Sequence, residues 1–100
     1  MRKTDVFNTL KQAQLEHDIS ASRAELNWLN GGDHYWLQRA ENESDRATAV
    51  FIAMIEVVGH KYSSYKNFNE KTRELFDEYI EIDRKVYMLK KQRNITEEVE

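Results

Sequence analysis

Three histidines, His17, His34 and His60, are the side chains best suited to hold a metal or move a proton near neutral pH, and their spacing fits neither task. No two lie four residues apart, the interval that sets two imidazoles on one helical face, and no Glu-x-x-His pair accompanies them. Cysteine is absent, which removes thiolate ligands, disulfides and thiol nucleophiles together and suits a reducing compartment. The sequence also has no glycine-rich phosphate loop and no serine nucleophile elbow. No catalytic residue, metal site or cofactor is expected, and an enzyme is not the reading. Recognition chemistry remains. Trp28, Tyr35 and Trp36 are candidate exposed aromatics, a residue type over-represented at binding hot spots. Arg84, Lys85, Lys90, Lys91 and Arg93 form one basic run with no acid between them. That run sits near a helix C-terminus, where cations are favourable for structural reasons alone.

The elements that would position these residues are helices. The 100-residue chain is the size of one domain, holds no proline and has three glycines, so it contains few places to stop a helix. A formal charge of -3, with 33% of residues charged, describes an ordinary solvated surface and no basic nucleic-acid footprint. The longest apolar stretch, Ala47 to Val58, is interrupted by Thr48 and Glu56 and is too short to span a bilayer. Met1 to Lys11 lacks the apolar run of a secretory signal. A cytoplasmic protein with no membrane partner is expected.

Thr4 and Asp5 read as a helix start, and Val6, Leu10 and Ala13 make an apolar stripe ending near His17 or Asp18. Ser20 or Ser22 offers a new N-cap for a short second helix, Arg23 to Leu29, stopped by Gly31-Gly32. Asp33 is placed to cap a third helix, His34 to Asn42, and Ser44 or Asp45 a fourth, Ala47 to Val58. The fourth is apolar nearly all round, the mark of a buried central helix, and Gly59 should end it. After a polar connection, the last helix spans about Phe68 to Arg93, with an imperfect heptad seam. Phe68, Leu75, Tyr79, Ile82, Val86 and Leu89 on that seam are the candidate dimer interface. Phe76, Ile80 and Tyr87 widen the face enough for part of it to cover its own domain. The expected architecture is all-α: a compact helix-turn-helix-like bundle of about four helices over residues 1–66, followed by an assembly helix and tail over 67–100, packed as one unit.

Two short helices about a tight Gly-containing turn are the skeleton of a helix-turn-helix. Ser22-Arg23-Ala24-Glu25-Leu26-Asn27-Trp28-Leu29-Asn30-Gly31 resembles the scaffold helix and turn of the lambda-repressor/Cro (XRE-type) family, and Gly32 to Glu41 resembles its recognition helix. Leu26, Gly31, Leu37 and Glu41 fall on the family's Leu, Gly, aliphatic and Glu positions, and the similarity covers residues 4–60. Asn27 stands where the family usually has alanine, and Gly32 where it has Val or Leu. The resemblance implies a small dimeric, sequence-specific transcriptional regulator of phage or mobile-element type that binds double-stranded DNA. It implies base-edge contacts from His34, Tyr35, Gln38 and Arg39 and a phosphate contact from Arg23.

Charge points the other way. Residues 1–42 hold five basic and six acidic side chains, which offers phosphates little net attraction. The competing expectation is an all-helical protein-interaction module, such as a phage-encoded inhibitor, antitoxin or assembly adaptor. Such a module would bind a host protein and no DNA. A homodimer fits either expectation.

Overall fold

The structure, a computed structural model, describes the backbone of residues 2–99 and the side chains of residues 2–93. Three long helices account for almost all of it: α1 (Lys3–Leu29), α2 (His34–Val58) and α3 (Glu70–Val99). Two short 3-10 turns, His60–Tyr62 and Tyr65–Asn67, join α2 to α3. The all-α class holds, but the number and arrangement of helices do not: the four expected short helices are two continuous ones.

Both missing breaks have one physical cause. Around Ile19-Ser20-Ala21-Ser22 nothing is sterically opposed to helix, and serine costs only about half a kcal/mol per residue there. Burial of Leu15, Ile19 and Ala24 outweighs that cost, and Ser22 is itself buried where the capping expectation put it at a free helix end. At the second site the Thr48 hydroxyl donates to the Ser44 carbonyl at 3.0 Å, a bond made inside a continuing helix. The helix start also moves, because Arg2 occupies the N-cap of α1 with no side-chain cap, in place of Thr4.

The glycine signals hold. Gly31 (φ 97°) and Gly59 (φ 87°) take the left-handed backbone that ends α1 and α2. Asp33 caps α2 by accepting from the Tyr35 N–H at 3.0 Å. With only Asn30 to Asp33 between them, α1 and α2 fold back as an antiparallel hairpin. Phe7 therefore meets Met54 and Val58 at the open end, while His17 meets Glu43 nearer the turn.

The connection returns the chain to the start of α1, so α3 runs parallel to α1 and packs chiefly on it. Gln12 meets Thr72, and Glu25 meets Lys90. Asn69 caps α3 by accepting from the Thr72 N–H at 2.9 Å. The core forms two patches along this axis. One joins Phe7, Met54, Val58 and Phe68, ringed by Tyr62 and Phe76; the other joins Leu15, Ile19, Leu75 and Ile82.

The heptad seam is thereby used within one chain. Phe68, Leu75, Ile82 and Val86 are buried, and Tyr79 and Leu89 partly so. A dimer through those residues would require α3 to leave α1. Of the widening residues, Phe76 packs against both core patches, whereas Ile80 and Tyr87 are exposed. The apolar second half of α2 is not a buried centre either: Ala47, Met54 and Val58 face α1, while Ile52 and Val57 are 52% and 62% exposed. α3 continues to Val99, beyond the expected helix end at Arg93 and into the segment read as a tail, and Glu100 lies outside the described residues. No helix among the described residues is long and apolar enough to cross a membrane.

Candidate functional site

The hairpin brings polar and aromatic residues together beside its closed end. Glu16, Ser20, Arg23 and Asn27 recur along α1 at helical spacing, and Tyr35, Trp36 and Arg39 come from the first turns of α2. With Leu75 and Glu78 of α3 they line an open groove of about 630 Å³, floored by Ile19 and Ala24. Tyr35 and Trp36 meet edge to face at 5.0 Å between centroids, with Tyr35 57% exposed and Trp36 half-buried. The bare backbone of Gly32 makes this possible. A Cβ there would stand 2.7 Å from both the Asn27 carbonyl oxygen and Trp36 Cδ1. The Val or Leu found at this position in the resembled family would not fit.

Arg23 pairs with Glu78 and so ties α1 to α3 along one wall of the groove. Arg39 is exposed on the opposite wall and makes no ion pair within 4 Å among the described residues. A smaller hollow of about 150 Å³ adjoins it, lined by Tyr35, Gln38, Arg39, Asn42, Glu43 and Arg46. Glu43 is the buried anchor there, accepting from His17 Nδ1 at 2.6 Å and Arg46 at 3.1 Å. The His17 hydrogen bond is the main cause holding its carboxyl below the ordinary 4.5; burial opposes this, and the charges of His17, Arg46 and Arg39 reinforce it. His17 and Glu43 thus lock α1 to α2 behind the groove.

Of the five residues expected at a DNA interface, Arg23, Tyr35 and Arg39 line the groove and Gln38 the adjoining hollow. His34 is exposed in the first turn of α2, outside both. The separate recognition helix is not there, because these residues open a 25-residue helix that pairs along its length with α1. The opposite side of the hairpin carries Asp18, Glu25, Glu41 and Asp45, which with Asp83 of α3 surround a second hollow of about 450 Å³, an acidic surface unsuited to phosphate. Asn27 and Glu43 join the site without having been singled out by pattern, whereas Trp36, singled out as an exposed aromatic, is half-buried in the groove. For Glu43, twenty-six residues from His17, no local signal was available. No three His, Asp or Glu side chains among the described residues stand close enough together to hold a metal ion.

No protein-family model, curated protein or solved structure matches this chain. The functional reading therefore rests on the site itself.

Proposed function

We propose that this chain is an all-helical protein-interaction module of the inhibitor, antitoxin or adaptor kind, and that the groove beside the α1–α2 turn receives a segment of a partner protein. The observation that carries this is the groove's make-up: Tyr35, Trp36 and Arg39 side by side, partly exposed, over a buried apolar floor. Trp, Tyr and Arg are the residues that most often dominate binding energy, and they do so beside a dry centre. The site is partly preset, since the buried Glu43 joins His17 across α1 and α2 and Arg23 meets Glu78 at the surface between α1 and α3. Less binding energy is then lost to ordering the site.

Panning a random peptide-display library against the folded chain, with Trp36→Ala as counter-selection, tests the proposal. Enriched peptides should bind the wild type and lose about thirtyfold or more on Trp36→Ala, the loss of a 2 kcal/mol hot spot. Arg39→Ala should cost a smaller factor. Peptides that bind all three folded proteins equally, or no enrichment at all, would sink it.

One observation favours the second reading, a DNA-binding regulator. His34, Tyr35, Gln38 and Arg39 are all exposed on the first two turns of α2, and a helix N-terminus is the part that enters a major groove. Arg39 and Gln38 have the chemistry to pair with guanine and adenine. Against this reading stand the acidic opposite face and a net charge of -3.

A further inference from the structure

The face of α3 that points away from α1 segregates its charges. Its first half presents Glu70, Glu74, Asp77 and Glu81, all exposed, and Arg73 is the one base among them. Its second half presents Arg84 and Lys91, with Lys85 at the edge, and no acid occurs from Arg84 to Arg93. Between and beside them lie the exposed apolar residues Ile80, Tyr87 and Met88. The helix macrodipole explains acids in a first turn and bases in a last one, but its influence fades within a turn and does not reach Asp77, Glu81 or Arg84. Within the helix, like charges four residues apart (Glu70 with Glu74, Asp77 with Glu81) are offset by opposite ones (Arg73 with Asp77, Glu81 with Lys85), so local pairing does not account for the segregation. Glu78 and Lys90, which flank this face, pair with Arg23 and Glu25 of α1. The outer acids and bases themselves form no ion pair within 4 Å among the described residues.

We propose that this outer face of α3 pairs antiparallel with the same face of a second copy of the chain. A two-fold axis near Glu81 and Arg84 sets each acidic half against the partner's basic half and closes Ile80, Tyr87 and Met88 between the helices. The interface is isologous, as closed dimers require. A standard interface takes about 800 Å² per partner, and the exposed residues of this face, with Ile80, Tyr87 and Met88 at its centre, would supply it. The groove beside the hairpin turn stays open in this dimer, so the two proposals fail independently.

Charge reversal gives the test, with sedimentation as the readout and helical circular dichroism as the check on folding. The wild type should be a dimer whose dissociation constant weakens about tenfold or more as salt rises into the molar range. A face made mostly acidic (Arg84→Glu with Lys91→Glu) and one made mostly basic (Glu74→Lys with Asp77→Lys) should each be monomeric alone and form a dimer when mixed. A single cysteine is clean in a chain that has none. Arg84→Cys, near the axis, should cross-link between copies on oxidation, and Glu70→Cys, far from it, should not. A monomeric wild type at low salt, reversed chains that dimerise alone, or cross-linking through Glu70→Cys overturns the proposal.

Discussion

Asn8 is the residue whose loss should unseat α3. Its side chain is 2% exposed and makes four hydrogen bonds to three segments. Nδ2 donates to the Thr4 carbonyl at 2.8 Å and the Asn67 carbonyl at 3.1 Å. Oδ1 accepts from the Asn69 N–H at 2.8 Å and the Thr72 hydroxyl at 2.7 Å. Asn8→Ala leaves two of these partners with substitutes: the Thr4 carbonyl lies within α1 at an exposed residue, and the Thr72 hydroxyl can turn to Asn69 Oδ1 at 2.9 Å. The Asn67 carbonyl and Asn69 N–H then lose a partner at the half-buried junction. At about 1–3 kcal/mol for each such group, discounted for the solvent that reaches Asn69, the cost is about 2–4 kcal/mol. That is a large part of the roughly 5–15 kcal/mol holding a domain of this size. Thermal unfolding should shift down by roughly 10–25 °C, and urea unfolding should reach its midpoint earlier with the slope unchanged. Thr72→Val, which removes one hydroxyl from a fully buried site, should cost about 1–2 kcal/mol. The double variant should cost less than the sum, because both changes break the same bond. If Asn8→Ala stays within about half a kcal/mol of wild type, the surface-mutation range, the junction is not held as described.

Other perturbations test other joints. Ala21→Pro falls mid-helix in α1 and should cost about 3 kcal/mol or more; a helix restarting there would accept proline in its first turn, so near-wild-type melting contradicts the continuous helix. Gly32→Ala should cost about 1–3 kcal/mol, because the Asn27 carbonyl cannot yield to the new methyl, and should shift tryptophan fluorescence as Trp36 is displaced. Glu43 has a depressed carboxyl, so its contribution is present above pH 4.5 and lost as pH falls through the lower folded-state value. Glu43→Gln should therefore destabilise the chain near neutral pH and flatten the acid limb of its stability curve, and an acid limb unchanged by the substitution would rule the ion pair out.

What the sequence made legible were the features written in residues close together. Gly31, Gly59 and Asp33 mark their helix ends in local code, and the structure obeys each. The heptad from Phe68 to Leu89 marks a helix with one apolar seam, which is also there. Its partner was not legible, because a period of seven says that a face is buried and not by what. Ser20, Ser22 and Ser44 misled in the opposite sense: serine prefers caps by a fraction of a kcal/mol, and burial of neighbours such as Ile19 and Ala47 overrides it. The candidate site depends on that override. Arg23 was expected at the start of one short helix and Arg39 within the next; continuous helices place them on the two walls of one groove. Pairs such as His17 with Glu43 or Asn8 with Thr72 are set by the hairpin register and the crossover, which a single sequence does not encode locally.

The choice between a protein-binding groove and a DNA-reading helix is put most directly by selecting duplexes from a random pool on the folded protein at low salt. The account predicts weak binding that enriches no sequence and falls away uniformly as salt is raised. Enrichment of a defined site, bound by the wild type and lost with Gln38→Ala or Arg39→Ala while the fold is retained, would contradict it.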